Sequence, residues 1–393
     1  MTTTQPGVKT SPPVGQGVWA ELVGQHRAVE VLRRAVCGES HAMTHAWLIT
    51  GPPGSGRSNA AKAFAAALQC AQGGCGACTV CRTCLSGAHP DVTLVRTEQL
   101  SIGVDEVRDL VRRAAMNPTS GPHQVLVVED ADRVTERGAD ALLKAIEEPA
   151  ARTVWVLCAP TADDVIVTIR SRCRRVELST PSEAAIARLL AERDGVPGDM
   201  AGHAARVAQG HIGRARAIAR SEDARNRRAE ILAIPAQLST LGACLKAAAS
   251  VVAAASEEAS ATTADLDARE KQALSQALGM GAKGARPRHA QAALRELEDQ
   301  QKARAKRLQR DALDRVLTEF TGYYRDVFAL QTNASQRLIN ADVIDDLTAV
   351  AGRTRPEQTI ASLDAILACR QALETNVAPQ LAMESLMIGL HAA

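Results

Sequence analysis

No stretch of about 18 apolar residues occurs in this 393-residue chain, so no membrane-spanning helix is expected. The first residues lack the basic-then-apolar pattern of a secretory signal, so a cytoplasmic location is expected. Excess charge is missing too. With a formal net charge of +2, the chain as a whole is no basic coat for nucleic acid. Any such contact must come from a local patch or from partners. Aromatic residues make up only 2% of the chain, while alanine, leucine and arginine are plentiful and favour helix. The length exceeds one ordinary core and implies two or three domains.

Residues 1–17 are Thr, Pro, Gly and Gln with few apolar groups, the composition of a disordered tail. From Trp19 the pattern is globular, and Val29, Leu32 and Val36 recur at helical spacing. His45 to Thr50 reads as a short buried strand entering a glycine-rich loop, and Ser58 to Leu68 as the helix after it. Val92–Val95, Val125–Val128, Val154–Cys158 and Val176–Leu178 read as further strands. Between them lie helical patterns, one over Ile102 to Ala115 and one marked by Ala139, Leu142, Leu143 and Ile146 and stopped at Pro149. Strands alternating with helices predict a parallel α/β sheet. Thr180-Pro-Ser-Glu183 predicts a helix start with Thr180 as the cap. Only helical signals follow, in a small unit ending near residue 224 and a larger one to the C-terminus.

Residues 250–306 stand apart. An Ala-rich polar stretch leads through Gly279–Gly284 and Pro287 into a highly charged helix. The favoured reading is a solvated helical hairpin. The competing one makes Lys302, Arg304, Lys306, Arg307 and Arg310 a phosphate-contacting stripe, diluted by Glu296, Glu298 and Asp299 in the same helix.

Residues 51–58 read Gly-Pro-Pro-Gly-Ser-Gly-Arg-Ser, a phosphate-binding loop in which Arg57 stands where the pattern has lysine. Gly51, Gly54 and Gly56 would let the backbone turn its N–H groups inward at the start of a helix whose dipole favours anions. Arg57 is longer and planar, and would either attract phosphate or fill the pocket itself. Ser58 keeps the hydroxyl that would touch Mg²⁺. Glu129-Asp130, at the end of the third strand, reverses the order that hydrolysis wants, an aspartate for Mg²⁺ followed by a glutamate that positions water. Five cysteines, Cys70, Cys75, Cys78, Cys81 and Cys84, interrupt the α/β pattern in a Gly-rich run. Repeated C-x₂-C spacing supplies four thiolates for a closed, structural Zn²⁺ site, with five candidates for four places.

These segments, together with Leu22-Val-Gly-Gln25, His45-Ala-Trp-Leu48, Asp140-Ala-Leu-Leu-Lys-Ala-Ile-Glu-Glu-Pro149 and Val167-Thr-Ile-Arg-Ser-Arg-Cys173, resemble bacterial clamp-loader AAA+ subunits of DNA polymerase III. Asn376, Leu381, Met383, Glu384 and Leu386 look like the last helix of that family's collar domain. The resemblance spans nearly the whole chain from residue 18, except 250–306. It implies an AAA+ (P-loop NTPase-like) α/β domain over 18–178 with a zinc knuckle at 70–84. It also implies a helical lid over 179–224 and an all-helical collar over 225–393.

Three departures favour the family's non-hydrolysing stator branch, delta-prime. Arg57 replaces the loop lysine, Cys158-Ala-Pro160 stands where a polar sensor is expected, and Gly213 stands where the second sensor has arginine. The resemblance then makes Arg172 an arginine finger, reaching into ATP held by a neighbouring subunit. It implies Cys70, Cys75, Cys78 and Cys81 as zinc ligands, counting back from the His89-Pro-Asp91 tripeptide, with Cys84 as the alternate. ATP and Mg²⁺ in the chain's own loop are doubtful on this reading. The implied partners are the delta subunit and gamma/tau ATPase subunits of the polymerase III holoenzyme, a nucleotidyltransferase. Sliding clamp and primer-template DNA would be reached through the complex, in DNA replication. The alternatives are an active gamma/tau-like motor and a standalone nucleic-acid-binding protein acting through the charged insertion.

Overall fold

The computed structural model describes residues 10–39, 41–97, 101–277, 288–375 and 377–392. The chain divides into two compact units, Met1–Arg220 and Ser221–Ala393. The first begins with a 3-10 turn at Gly17–Glu21, then α1 (His26–Val36), β1 (Ala46–Thr50), α2 (Arg57–Gln69) and α3 (Thr79–Ser86). It continues with β2 (Val92–Val95), α4 (Val104–Ala114), β3 (Gln124–Val128), a 3-10 turn at Ala131–Arg133, α5 (Glu136–Glu147) and β4 (Thr153–Ala159). A short helix α6 (Val167–Arg170) and the strand β5 (Arg174–Glu177) complete the α/β part.

The five strands form one parallel sheet in the order β2-β3-β4-β1-β5. Strands β1, β3 and β4 are buried along their whole length, which is why they read as unbroken apolar runs rather than alternating ones. β5 lies at the edge, and of its residues only Val176 is buried. Its Arg174 sits 5.5 Å over the Trp47 ring and donates to the carbonyls of His41 and Ala42. Helix α2 packs close to the sheet because the residues facing inward are small: Ala60, Ala61, Ala63, Ala65, Ala66 and Ala67 are all buried. Among them Phe64 meets Trp47 edge to face with centroids 5.0 Å apart.

The last part of the expected tail is packed onto the unit. Residues 1–9 lie outside the described residues, but Ser11 is buried: it donates to the Gly73 carbonyl at 2.7 Å and accepts from the Trp19 indole at 3.1 Å. A tail poor in apolar groups is fixed here by hydrogen bonds to the cysteine-rich segment.

After the sheet come α7 (Glu183–Glu192), α8 (Gly198–Val207) and α9 (Ile212–Arg220), three helices around a core that includes Ile186, Leu190, Val207 and Ile218. The cap of α7 differs from the expected one. Ser182, not Thr180, accepts the Ala185 N–H at 3.2 Å, and Pro181 precedes the cap. A network of charges ties this helical part to the start of the unit: Arg193 and Arg216 both reach Glu21, and Arg216 and Arg220 both reach Asp194.

The second unit is helical among its described residues: α10 (Glu222–Gln237), α11 (Leu241–Ala277), α12 (Arg288–Gln331), a 3-10 turn at Ala341–Val343, α13 (Ile344–Arg353), α14 (Pro356–Glu374) and α15 (Pro379–Ala392). It opens at 221, a few residues before the boundary read from the sequence. Leu313, Leu317, Phe320, Tyr323 and Val327 of α12 form its core with Cys244 and Ala248 of α11, Ile366 of α14 and Met383, Leu386 and Met387 of α15. Asn376 lies outside the described residues. Asp326 is fully buried and accepts both the backbone and side-chain N–H groups of Asn340 at 2.7 and 3.0 Å.

Beyond this core α11 and α12 run on packed against each other, and residues 278–287 between them lie outside the described residues. On α11 the buried seam is Val251, Ala255, Ala259 and Thr263, one residue every turn. On α12 the seam is polar. Gln301 donates to the Asp267 carbonyl and to Glu270, and Arg304 donates to both carboxylate oxygens of Glu270 at 2.9 Å. Two members of the expected phosphate-contacting stripe are withdrawn from solvent: Arg304 and Arg307 are buried, Arg304 against Asp267 and Glu270 of α11 and Arg307 beside Asp311 of its own helix.

Candidate functional site

The loop at 51–58 joins β1 to α2. Gly54 and Gly56 have φ of +81° and +95°, a left-handed backbone that a side chain would strain. Gly54 is also held for space, because a Cβ there would come within 2.3 Å of the His211 ring at the start of α9. Arg57 does not extend away from the loop. Its guanidinium turns back and donates to the carbonyl of Gly51. Gln25 braces the same loop from outside: its amide donates to the Ser179 carbonyl at 2.7 Å and the Ser55 carbonyl at 3.4 Å, and its oxygen accepts the Ser179 N–H. Ser58 stands in the first turn of α2 and is half-buried.

β4 separates β1 from β3, so the acids at the end of β3 lie one strand away from the loop. Glu129 is buried and pairs with Lys62 of α2 at 3.3 Å. Sequence reasoning missed Lys62, which is an ordinary exposed-looking residue in an Ala-rich helix. It missed Asp132 too. Burial pushes the Asp132 carboxyl up, with the Asp130 charge adding to it and the charges of Arg133 and Arg57 working against it. At the end of β4 the thiol of Cys158 is pushed up to about 12, chiefly by burial. A buried neutral thiol and Ala159 therefore stand at the end of the strand between loop and acids.

The cysteine run folds as a turn-rich knuckle ending in α3. The sulfurs of Cys70, Cys75, Cys78 and Cys81 all lie within 4.8 Å of one another. Cys70 is 3.9 Å from Cys75 and 3.8 Å from Cys78, and Cys75 is 4.0 Å from Cys81. A tetrahedral ion with metal–sulfur bonds near 2.3 Å spaces its sulfurs about 3.8 Å apart, so these four could hold a metal ion in a closed site. Cys84 falls outside the group, on the buried face of α3, where burial and the charges of the neighbouring thiols push it up to about 12. Burial also opposes ionisation of Cys70, but the backbone N–H groups of Cys75, Gly74 and Gln72 outweigh it and bring the thiol down to about 6. The knuckle folds tightly because Gly73, Gly74 and Gly76 all take left-handed φ, and a Cβ on Gly74 would meet Val18.

Asp91, which follows the knuckle, is a hub that the sequence did not reveal. Its buried carboxylate accepts the N–H and hydroxyl of Thr119, the N–H and hydroxyl of Ser120 and the N–H of Gly121, at 2.6–2.8 Å. Burial works to raise its pKa, but these hydrogen bonds outweigh it and hold the carboxyl well below the usual range.

Arg172 follows α6 and is partly exposed. Its Nη2 pairs with Glu147, the last residue of α5, at 2.6 Å. Its Nη1 donates to the Thr168 carbonyl at 2.9 Å and to the Ser171 hydroxyl at 3.3 Å. Of its basic neighbours, Arg170 pairs with Asp163 and Arg174 lies on Trp47.

Two family models match. One describes the DNA polymerase III delta subunit and covers residues 24–182; the other describes the C-terminal part of that subunit and covers residues 293–392. The chain belongs to the DNA polymerase III clamp-loader family. The clamp-loader relatives are of two kinds. DNA polymerase III subunit delta' of Pseudomonas aeruginosa is 34% identical over 185 residues, which is 46% of this chain and 52% of the relative. DNA polymerase III subunit gamma/tau of Mycobacterium tuberculosis is 35% identical over 159 residues, or 39% of this chain and 27% of the relative. The chain thus spans about half the length of the first and about a quarter of the second. Identity this similar to both kinds does not separate delta' from gamma/tau. A solved structure of a DNA polymerase III gamma subunit-related protein from Thermotoga maritima aligns over 93% of this chain and 99% of its own, at 16% identity and a TM-score of 0.39.

Proposed function

We propose that this chain is a delta-prime-type stator of the clamp loader, silent at its own nucleotide loop and acting on a neighbour's ATP through Arg172. The observation that carries this reading is the closed state of the loop. A lysine at position 57 would present a compact ammonium to the β- and γ-phosphates, whereas the Arg57 guanidinium is turned onto the Gly51 carbonyl. His211 rests on Gly54 from the other side, and Glu129 is engaged by Lys62 instead of standing open for Mg²⁺. With Ala159 and Gly213 in place of the two sensors, several elements of hydrolysis are absent together.

On this reading Arg172 performs the remaining chemistry. A guanidinium entering a neighbour's site stabilises charge developing on the transferred phosphoryl group, an effect of roughly 10³–10⁵ in turnover at such a site. The partners would be gamma/tau-type ATPase subunits and a delta-type subunit, with sliding clamp and primer-template DNA reached through the assembly. The four-thiol group would hold Zn²⁺ as a structural ion, fixing a Gly-rich segment that buries little apolar surface of its own.

The purified chain should neither bind nor hydrolyse ATP with Mg²⁺. In the assembled loader Arg172→Ala should silence the one ATP site it faces. Normal clamp-stimulated turnover in that variant would end the finger assignment. The active motor reading draws on the 35% identity to gamma/tau and on the retained Ser58 hydroxyl. Mg²⁺-dependent turnover by the isolated chain, abolished by Arg57→Ala, would establish it instead.

A further inference from the structure

We infer that Glu147 is the positioning residue for Arg172: it fixes the guanidinium, before any neighbour arrives, in the orientation from which it enters the neighbour's site. This rests on the trans-acting reading of Arg172 given above. Three acceptors of the same chain hold both terminal nitrogens of Arg172: the Glu147 carboxylate at 2.6 Å, the Thr168 carbonyl at 2.9 Å and the Ser171 hydroxyl at 3.3 Å. Among the described residues these contacts engage three of the five guanidinium N–H groups, leaving Nε and one Nη2 hydrogen for a ligand. The Thr168 and Ser171 acceptors come from the short helical turn that leads to Arg172, while Glu147 comes from the end of α5. Glu147 therefore sets the finger relative to the body of the domain and not merely to its own turn.

A stabilising role does not account for the pair. Glu147 and Arg172 are 40% and 41% exposed, and an ion pair so wet adds little to folding. Its effect is on orientation. A free arginine side chain samples many rotamers, and a finger must adopt one of them each time a neighbour's phosphate chain is bound. Holding that rotamer in advance raises turnover without changing how tightly the neighbour binds ATP.

The test is a cycle of Glu147→Ala, Arg172→Ala and the double variant in the assembled loader, following clamp-stimulated ATP turnover. Glu147→Ala should lower kcat about 3- to 30-fold with KM for ATP unchanged. Glu147→Gln, which keeps an acceptor oxygen in place, should recover most of that loss. The double variant should be no slower than Arg172→Ala alone. If Arg172→Ala slows turnover while Glu147→Ala leaves kcat intact, the positioning role is overturned and the finger stands. An unchanged rate in Arg172→Ala overturns both. A Glu147→Ala loss that persists in the Arg172→Ala background would place Glu147 in some other role and overturn the inference. Should the alanine variant fail to assemble, Glu147→Asp, one methylene too short to span the gap, replaces it in the same cycle.

Discussion

Removing the Asp91 carboxylate should unfasten the α/β unit where the knuckle hands the chain to β2. Asp91→Ala strips the acceptor from three backbone N–H groups and two hydroxyls, all of which now reach a single buried carboxylate. Hydrogen bonds to a charged group contribute about 1.5–3 kcal/mol each when counted singly. They do not add here, because the loop carrying Thr119 and Ser120 faces solvent and water can replace the carboxylate for part of the set. A loss of about 3–5 kcal/mol is expected, the range for breaking a buried charged contact. Urea unfolding followed by tryptophan emission reads this unit alone, since Trp19, Trp47 and Trp155 are all buried within it. The pH dependence has a definite sign. The folded carboxyl is held below its unfolded value of about 3.9, so its contribution is complete above that value and is lost as pH falls through the folded pKa. The gap between wild type and Asp91→Ala should therefore be flat near neutrality and close in acid. A loss under about 1 kcal/mol at pH 7, or a gap that widens below pH 4, would refute the reasoning.

Metal analysis should find about one equivalent bound per chain, lost in Cys78→Ser and retained in Cys84→Ser, because only the former belongs to the four-thiol group. Loss of metal in the Cys84 variant would move the fourth ligand. In the hairpin, Arg304→Ala should leave Glu270 and Asp267 without their main partner and fray the distal arm. Hydrogen exchange would show faster amide exchange in α11 beyond Thr263 with the bundle around Phe320 unchanged, and uniform loosening of both would contradict a register role for this contact.

The strands were legible to within two residues; β1 to β4 are largely apolar runs bounded by Gly, Pro or charge, while the edge strand β5 has only Val176 apolar among its own residues and was placed two residues late. The cysteine cluster was legible because C-x₂-C spacing has few other uses, but the spacing left five candidates and only the family resemblance chose four of them. What the sequence hid were contacts made by residues that look ordinary. Lys62 reads as a solubilising charge until β3 brings Glu129 beside it. Asp91 reads as part of a tripeptide until the loop at 119–121 closes on it, nearly thirty residues later. Arg304 and Arg307 read as solvated side chains of a helical hairpin because charge runs are usually solvated. An alanine seam on α11 brings the helices close enough to bury both side chains, and Glu270 and Asp267 then compensate Arg304. The cap of α7 was misplaced because Thr180 and Ser182 both fit the pattern, and only the backbone after Pro181 chooses between them.

The order of strands also has a consequence for how the chain comes together. β1, which carries the phosphate loop, pairs with β4 and β5 and with neither β2 nor β3. Its partners lie more than a hundred residues downstream, so β1 has no neighbour until Thr153–Ala159 and Arg174–Glu177 have been made. β2 and β3 can pair earlier, with the knuckle already closed behind α2. During synthesis the glycine loop is thus among the last parts of the sheet to be framed. A long-lived exposed β1 edge, apolar from Ala46 to Ile49, is the point at which this protein is open to mispairing.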